Sequence, residues 1–354
     1  MNNPTIVVND IAASPGGGLT VLKEFYEAVK KRDESINWVF LLSEPYINKT
    51  DNIEVVLLPK IKKHINRLAF DFFTGHKIIN GYDPVAVFSL QNTVTRHCKG
   101  KTITYIHQSL PFQKIKKFSF LKRDEYKLAC IQYLLGFLIK RSIKKSDLNI
   151  VQTKWMKSEV ERYCRENKVV QIYPNMPGLL QKAAYESVNN FFYPTNDSTY
   201  KNNELLIDAC KQLNTESIDF YTTITIEATE TVDNMAFVGR IPIDEVFEHY
   251  TKSCLVFPSY IETFGYPLVE ARAAETIILA SDCPFSHELL DDYKNAYFFD
   301  PFDAKGLCNL MRKVASGEIK REAPSENERV TADTEAINSW DLVIDEIIKN
   351  SIGS

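Results

Sequence analysis

Closely spaced cysteine pairs and long apolar runs are both missing from the sequence. Its 7 cysteines are scattered singly without any C-x-x-C spacing, which argues against a zinc ribbon or a disulfide framework and favours reduced thiols. No apolar run approaches the roughly 20 residues that a membrane-spanning helix requires. The N-terminal segment MNNPTIVVND lacks a charged region followed by an apolar core. We therefore expect no secretory signal and a cytoplasmic protein.

Several catalytic signatures are also absent. There is no Asp-x-Asp pair to hold a metal–diphosphate complex, no H-E-x-x-H, no G-x-S-x-G and no glycine-rich loop ending in Gly-Lys-Ser/Thr. The 6 histidines are dispersed, and no cysteine–histidine grouping has the spacing of a zinc site. We therefore expect no cofactor and no metal. A transfer reaction would then depend on cationic side chains and backbone amides.

The composition is that of a folded protein, and the charged residues are unevenly distributed along the chain. Hydrophobic residues make up 44% and charged residues 25% of the 354 positions, which suits two globular domains. Residues 1–180 carry 28 Lys and Arg against 16 Asp and Glu, a balance of +12, whereas residues 181–354 carry 14 against 30, a balance of −16. The basic first half points to an anionic partner.

Apolar runs typical of strands alternate with helix-period segments from end to end. The strand candidates are rich in Val, Ile and Leu, as in parallel strands buried on both faces: TIVVN, WVFLL, IEVVLL, VAVFSL, TITYIH, DLNIVQ, FFYPT, IDFYTTIT, MAFVG, LVFPS, IILAS and AYFFD. Segments with helical periodicity include GGGLTVLKEFYEAVKKR, INRLAFDFFTGHKII and EYKLACIQYLLGFLIKRSIKK. Repeated βα units of this kind predict doubly wound α/β sheets.

The alternation is interrupted at YPNMPG (173–178), where two prolines and a glycine mark a domain boundary. We place a first domain at residues 1–175 and a second domain at 176–332. A last helix within 333–354 is predicted to cross back to the first domain.

The segment SYIETFGYPLVEA (259–271) places Glu262 and Glu270 on either side of a glycine and a proline, directly after the apolar run CLVFP. Pro267 suits the first helical position, and the amides of such a turn favour an anion. A carboxylate accepts two hydrogen bonds, so Glu270 suits the vicinal hydroxyls of a ribose and Glu262 those of a sugar. The alternative is that Glu270 complements the helix dipole and Glu262 is a solvated loop acid.

Two further features follow predicted strands of the first half. The glycines of SPGGGL (14–19) let the backbone approach a phosphate, although the loop is not a dinucleotide fingerprint, because Val21 occupies the third glycine position. His107 ends the run TITYI at the carboxyl edge of the sheet, where α/β sites form. Taken alone, a glycine turn is weak evidence, and a strand-terminal histidine is more often a buried structural residue.

The run ETFGYPLVEA resembles the E-x7-E signature of retaining glycosyltransferases of family 4. FVGRIP, CLVFPS, ILASDCPFSHELLDD and AYFFDP resemble that family's donor domain in order and spacing, and VNDIAASPGGG, TYIHQSLPF, SDLNIVQTKWMKSEV and IYPN resemble its acceptor domain. The resemblance covers most of the chain. It implies the GT-B fold, with two Rossmann-like, doubly wound parallel-sheet domains facing one another across a cleft.

The resemblance also implies roles for individual residues. Lys201 would contact the donor diphosphate, Glu262 would hold the transferred sugar, and His107 would orient that sugar and stabilise charge. The implied substrate-binding residues belong to the glycine loop, the base-binding turn and the signature: Gly17, Gly18, Ile241, Thr263, Phe264, Gly265, Leu268 and Glu270. Many members carry an arginine shortly before the lysine, where this chain has YPTN (193–196), and Arg240 is a candidate substitute.

Two basic stretches are interleaved with aromatic residues, KIKKHINRLAFDFF (60–73) and FQKIKKFSFLKR (112–123). The pattern suits an anionic membrane surface or a lipid-phosphate acceptor, and it is also found in nucleic-acid binding and on solvated faces above a core. The predicted membrane or acceptor surface consists of Lys62, Lys63, Lys114, Lys116, Lys117 and Phe118.

Residues and resemblance together predict a metal-independent, retaining hexosyltransferase. Its partners would be a nucleotide-sugar donor, with UDP favoured over GDP, and a glycan or lipid-linked acceptor in bacterial surface-polysaccharide synthesis. An anionic membrane at the inner face of the cell would be a further partner, and nucleic acid would not. Two alternatives stay open: a nucleotide-sugar 2-epimerase of similar architecture, and a non-enzymatic protein whose basic first half binds nucleic acid.

Overall fold

The computed structural model describes residues 3–32, 35–175, 181–228, 230–323 and 338–352. The chain forms two compact units. Among the described residues, the first unit comprises 3–112, 127–175 and 338–352, and the second comprises 113–126 and 181–323. The proposed boundary at 173–178 lies partly, and the start of the last segment at 333 wholly, outside the described residues.

The first unit is built on a seven-stranded sheet in which every strand pairing is parallel. In chain order its strands are β1 (Thr5–Asn9), β2 (Asn37–Leu42), β3 (Ile53–Leu57), β4 (Ala86–Ser89), β5 (Lys101–Ile106), β6 (Leu148–Val151) and β7 (Val169–Gln171). Their spatial order is β3-β2-β1-β4-β5-β6-β7. At the centre of the sheet, Val7 pairs with Val39 of β2 and with Val87 of β4.

The helices of this unit are α1 (Gly17–Lys31), α2 (His64–Ala69), α3 (Gly75–Asn80), α4 (Tyr126–Ala129), α5 (Gly136–Lys145) and α6 (Lys154–Glu161). Two of the predicted helices contain a wider turn: a π-helical segment, Phe70–Thr74, joins α2 to α3, and another, Cys130–Leu135, joins α4 to α5. Such segments are rare in proteins and are often found at functional sites.

Both faces of the first sheet are buried. Ile6 and Val8 of β1 are fully buried in the cluster that contains Phe25 of α1. Val7, between them, belongs to the cluster on the opposite face, together with Phe70. Because successive side chains of a strand point to opposite faces, burial on both sides explains why TIVVN is an unbroken apolar run.

The second unit is built on a six-stranded sheet that is also entirely parallel. Its strands are β8 (Asn190–Tyr193), β9 (Tyr221–Ile224), β10 (Met235–Phe237), β11 (Cys254–Phe257), β12 (Ile278–Ser281) and β13 (Ala296–Phe299), in the spatial order β10-β9-β8-β11-β12-β13. Its helices are α7 (Asn203–Leu213), α8 (Ile243–Lys252), α9 (Tyr266–Ala273), α10 (Pro284–Leu290) and α11 (Ala304–Ala315).

The last helix, α12 (Ser339–Ser351), belongs to the first unit. The ring of Trp340 packs edge-on to Phe25 of α1, with ring centroids 5.6 Å apart. The indole Nε1 of Trp340 donates a hydrogen bond to Glu24 (3.0 Å), and Arg32 pairs with Asp345 at 2.6 Å. The helix therefore completes the core of the unit that contains α1.

The predicted α/β class with doubly wound parallel sheets is confirmed. Two local differences stand out. Strand β7 is not among the predicted strands, because VVQ is too short to stand out as an apolar run. Residues 113–126, assigned from the sequence to the first domain, group with the second unit. Within the described ranges, no helix is long and apolar enough to cross a membrane.

Candidate donor site

The second sheet changes its winding direction between β8 and β11. Strand β8 lies between β9, the next strand in the chain, and β11, so the connections leaving β8 and β11 run to opposite sides. In open parallel sheets, ligands bind in the crevice at the carboxyl ends of such strands. The loop after β8 leads to Lys201, and the loop after β11 carries Glu262. Both residues predicted to handle the donor are thus placed at the switch point.

Lys201 and Glu262 form an ion pair across this crevice. The Nζ of Lys201 lies 2.6 Å from Oε1 of Glu262, and the two side chains are only 15% and 16% exposed. The hydroxyl of Ser259 donates a second hydrogen bond, of 2.7 Å, to the same carboxylate oxygen. The ammonium group of Lys201 and the carboxylate of Glu262 therefore lie side by side, and both are only partly exposed to water.

The backbone around Lys201 is fixed by a left-handed residue. Asn202 adopts φ 60 and ψ 38, a conformation that asparagine tolerates better than most residues. Its side-chain amide donates to the carbonyl oxygens of Pro258 (3.2 Å) and Pro301 (2.7 Å). The hydroxyl of Tyr193 donates to the carbonyl of Lys201 at 2.8 Å. These positioning residues were missed from the sequence, where Asn202 has no signal beyond its place before a helix.

The signature turn is organised by Gly265. This residue has φ +96 and precedes α9, which begins at Tyr266, so Pro267 occupies the second helical position and not the first. The helix has no side-chain cap and no acidic residue in its first turn. The amide of Leu268 already donates to the carbonyl of Gly265 (3.0 Å), and the Leu268 side chain is fully buried. Both the amide and the side chain of Leu268 are thus used internally, and its role in substrate binding stays a prediction.

Glu270, half-buried on α9, is held from one side by a buried tyrosine. The hydroxyl of Tyr250, on α8, donates to Oε2 of Glu270 at 2.8 Å. Burial raises the pKa of Glu270 above its ordinary value, and the hydrogen bond from Tyr250 opposes that rise. Among the described residues, Oε1 receives no hydrogen bond from another side chain. The carboxylate thus keeps one oxygen as an acceptor.

Three other predicted donor residues lie near these elements in the sequence. Phe264 is 3% exposed, and its ring packs edge-on to Tyr266 at 5.2 Å, so its side chain is structural. Thr263 is half-buried in the turn between Glu262 and the helix. Ile241 is half-buried in the turn that follows β10, shortly after Gly239, which has φ +63. Arg240, the candidate substitute cation, is exposed.

In the first unit, the glycine loop follows β1, which lies at the corresponding switch point between β2 and β4. Gly17 and Gly18 begin α1, and a side chain added at either position would meet no atom within 4 Å. Gly16 precedes them with φ +119, and α1 has neither a capping side chain nor an acid in its first turn. An uncapped helix start with open space beside it suits an anionic group.

His107 follows β5 and is fixed through its backbone. Its amide donates to Oδ1 of Asn92 (2.7 Å), as does the amide of Gln108 (3.0 Å). The imidazole lies edge-on to the Tyr105 ring, with centroids 5.8 Å apart. Burial lowers the pKa of His107 to about 4. The ring is therefore neutral at physiological pH, and the expected charge stabilisation reduces to hydrogen bonding by a neutral imidazole.

The first basic stretch remains largely at the surface of the first unit. Lys62 is exposed and forms an ion pair with Glu44, which partly neutralises it. Lys63 is exposed at the start of α2. Ile65 and Phe73 are also exposed, at 75% and 71%.

The second basic stretch lies in the other unit, so the two stretches are parts of different compact bodies. Lys114 and Lys117 are exposed, but Lys116 pairs with Glu125 at 3.2 Å and lies over the ring of Phe118. Phe118 is only 3% exposed. The prediction that Phe118 forms part of a membrane surface is therefore wrong, because its ring packs inward beneath Lys116.

Within the part of the chain that the structure describes, no group of three or more His, Cys, Asp or Glu side chains is arranged to hold a metal ion. Metal independence stays a prediction.

Residues 181–331 match the family model of the glycosyl transferases group 1. The O-antigen chain mannosyltransferase RfbU of Salmonella typhimurium is 24% identical over 233 residues, which are 61% of this chain and 61% of that protein. The match thus spans less than two thirds of this curated relative.

Two solved structures share the fold over nearly the whole chain. The sucrose-phosphate synthase of Thermosynechococcus elongatus has a TM-score of 0.67 at 16% identity and covers 97% of both chains. HepE of Anabaena, solved in complex with UDP, has a TM-score of 0.64 at 13% identity, over 97% of this chain and 99% of that one. Two parallel-sheet α/β units of this kind are those of GT-B glycosyltransferase structures. Over residues 181–331, the chain therefore carries a domain of the glycosyl transferases group 1, within a GT-B fold.

Proposed function

We propose that the protein is a retaining glycosyltransferase of the family 4 type, which moves a hexose from a UDP-sugar to an acceptor hydroxyl. The observation that carries this proposal is the Lys201–Glu262 pair at the switch point of the second sheet. A cation that neutralises a diphosphate and a carboxylate that accepts sugar hydroxyls are the two groups that a nucleotide-sugar donor requires.

Donor binding would rearrange this pair. A diphosphate carries more negative charge than one carboxylate and competes with Glu262 for Lys201. Glu262 would then accept hydrogen bonds from the hydroxyls of the transferred sugar while Ser259 continues to orient it. Glu270, held by Tyr250 through Oε2, would accept from the ribose hydroxyls with Oε1. Ile241 would lie against the base, and the amides of Thr263, Phe264 and Gly265 against the sugar.

The proposed sugar transfer requires that the departing diphosphate be stabilised. As negative charge develops on the leaving oxygen, Lys201 and the start of α9 would stabilise it in a partly desolvated position. In the proposed front-face route, the leaving diphosphate takes the proton of the acceptor hydroxyl, so retention needs no protein nucleophile. No metal enters this proposal, because Lys201 supplies the positive charge. On the first unit, Gly17 and Gly18 are proposed to contact phosphate, and neutral His107 to orient a sugar hydroxyl.

The choice of substrates is supported by the comparisons. HepE was solved with UDP, which supports UDP over GDP as the leaving nucleotide. The mannosyltransferase relative acts on O-antigen chains according to its name, which supports a hexose donor and a surface-polysaccharide acceptor. We further propose that this acceptor is carried on a lipid. We place the reaction in the cytoplasm at the inner membrane face. No described contact favours a 2-epimerase or nucleic-acid binding.

The experiment is a binding titration of UDP, GDP, dTDP, ADP and CMP in the presence of a chelator, on wild type and on Glu270→Gln. UDP should bind wild type without metal, and Glu270→Gln should weaken binding about tenfold or more, because a neutral amide is a poorer acceptor than a carboxylate. Glu248→Gln, at an exposed glutamate of α8, is the matched control and should bind UDP as wild type does. If no nucleotide binds, or if both variants behave alike, the proposal fails.

A further inference from the structure

Four cationic side chains line one small pocket of the first unit, whose wall includes neither the glycine loop nor His107. They are Arg67 of α2, Arg96 of the loop after β4, and Arg141 and Lys145 of α5. The cavity has a volume of only ≈ 30 Å³, so a ligand group would lie in its mouth and not inside it. Arg141 and Lys145, both exposed, are at that mouth.

Three of these cations have no carboxylate partner among the described residues. Arg96 uses its backbone amide to bond the carbonyl of Asp71 (2.8 Å), and its guanidinium lies over the ring of Phe72 at 4.4 Å. Arg141 and Lys145 take part in no ion pair with a described residue. Partial desolvation and then the charges of Arg96 and Arg141 lower the pKa of Lys145. Like charges that line one pocket without ion-pair partners of their own favour a bound anion.

One carboxylate in the pocket wall, Asp71, is already engaged. It is buried and accepts hydrogen bonds from Thr95 (2.9 Å), Thr93 (3.1 Å) and Gln91 (3.3 Å). The charge of Arg67, on α2, lowers the pKa of Asp71 against the rise that burial causes. Asp71 is therefore engaged by these three side chains, and within the described residues it forms no ion pair with Arg96, Arg141 or Lys145.

The elements that form this pocket also expose large apolar side chains. Ile65 on α2 and Phe73 at the end of the π-helical segment are 75% and 71% exposed. Leu134 and Phe137, on the α4–α5 helical run, are 62% and 63% exposed. Each of the last three directly adjoins, in sequence, a residue of the pocket wall. Cations on elements that also expose apolar and aromatic side chains match the interface of a membrane that contains anionic lipid.

We propose that this pocket binds the terminal phosphate of a membrane lipid, with Arg96, Arg141 and Lys145 as its ligands and the exposed apolar side chains inserted between the acyl chains. A phosphate that ends a head group presents several oxygens to converging donors, which suits two guanidinium groups and an ammonium group. The inference does not depend on the donor chemistry of the second unit. Binding to lipid can therefore succeed or fail independently of binding to UDP.

The test measures sedimentation of the full-length protein with phosphatidylcholine vesicles that contain either phosphatidic acid or phosphatidylglycerol at matched total charge. Wild type should prefer phosphatidic acid, whose phosphate is terminal. The double variant Arg141→Gln/Lys145→Gln should lose about 25-fold in partitioning, since each cation near an anionic surface contributes about fivefold. The matched control Lys127→Gln/Lys144→Gln removes two exposed charges from the same helical run but outside the pocket, and should keep the preference.

Three outcomes would overturn the proposal. Equal binding to the two anionic lipids would show a diffuse electrostatic surface without a phosphate site. An equal loss of binding in the pocket variant and the control would likewise show that the charges act diffusely. If inorganic pyrophosphate raises the melting temperature of wild type but not of the pocket variant while vesicles are not bound at all, the pocket holds a soluble phosphate and not a lipid. Unchanged melting temperatures of the two ligand-free variants verify that both fold.

Discussion

Lys201 and Glu262 follow two neighbouring strands that are separated by more than sixty residues, yet their charged atoms lie 2.6 Å apart. The pair is only about one-sixth exposed, so each partner partly offsets the cost of holding the other away from water. Removing one partner should therefore affect both the stability of the fold and the binding of an anion.

Lys201→Met should reduce the preference of the protein for UDP over uridine, because the two ligands differ only in the diphosphate that Lys201 is proposed to contact. We expect the ratio of the two affinities to fall about tenfold or more, and kcat to fall about a hundredfold. Titration of both ligands on each protein measures the ratio. Lys211→Met, at an exposed lysine paired with Glu230, should leave it unchanged. An unaltered ratio in Lys201→Met would remove Lys201 from the diphosphate site.

Tyr250→Phe should make UDP binding more sensitive to acid. The hydrogen bond from Tyr250 opposes the rise that burial causes in the pKa of Glu270, so its loss should raise that pKa further. A protonated Glu270 is a poorer acceptor for ribose hydroxyls, so the UDP affinity of the variant should decline at a higher pH than that of wild type. Dissociation constants measured over the acidic to neutral range test this. Tyr221→Phe, at an exposed tyrosine of β9, is the control. A loss that is the same at every pH would contradict the role given to Tyr250.

Gly265→Ala should destabilise the second unit by about 1–2 kcal/mol, because φ +96 is strained for any residue with a Cβ. The added atom would be 3.4 Å from Leu268, an ordinary contact, so the cost comes from the backbone and not from a clash. Gly18→Ala is the matched control: it is helical, meets no atom within 4 Å, and should be neutral or stabilising by about half a kcal/mol. Urea unfolding of both variants measures the difference. Equal stabilities would show that the turn relaxes without cost.

Asp10→Asn should flatten the dependence of stability on pH. Burial raises the pKa of Asp10 to about 7, against the attraction of Arg67, compared with 3.8 in an unfolded chain. Because the pKa of Asp10 is higher in the folded protein, protonated Asp10 stabilises the fold fully below pH 3.8. This stabilisation is lost as the pH rises towards about 7. At roughly 1.4 kcal/mol per pKa unit, the loss amounts to at most about 4 kcal/mol.

Urea unfolding at about pH 5 and about pH 8 tests this sign. Wild type should be less stable at the higher pH by a larger amount than the variant. Asp71, whose pKa burial raises to about 6, adds a second contribution in the same direction that both proteins retain. A larger pH dependence in Asp10→Asn than in wild type would contradict the assignment.

The strands were predictable because the sheets are buried on both faces, which leaves continuous Val, Ile and Leu runs in the sequence. The turn before α9 was predictable because its residues are close together in the sequence. Glu262, Gly265 and Glu270 lie within nine residues, and their spacing indicates a turn into a helix. Tyr250 and Asn202 were not predictable. Each acts on a partner that is distant in sequence, Glu270 or the carbonyls of Pro258 and Pro301, and no local pattern records such a contact.

The error at Phe118 has a local origin. Phe118 lies in a stretch of the described chain without regular secondary structure, so no periodicity shows which of its aromatic rings points inward. Leu268 occupies the helix start that the anion-site argument selects, and that argument did not foresee that its amide donates to the carbonyl of Gly265.

Helix α12 makes the first unit discontinuous in sequence, and this has a consequence for synthesis on the ribosome. The core around Phe25 includes Trp340, Val343, Ile344 and Ile347, which follow the whole of the second unit in the chain. The second unit has its own sheet and is complete in sequence before α12 emerges. The unit whose sheet is synthesised first therefore completes its core only after the second unit has been made, and until α12 emerges its apolar surface beside α1 lacks these four side chains.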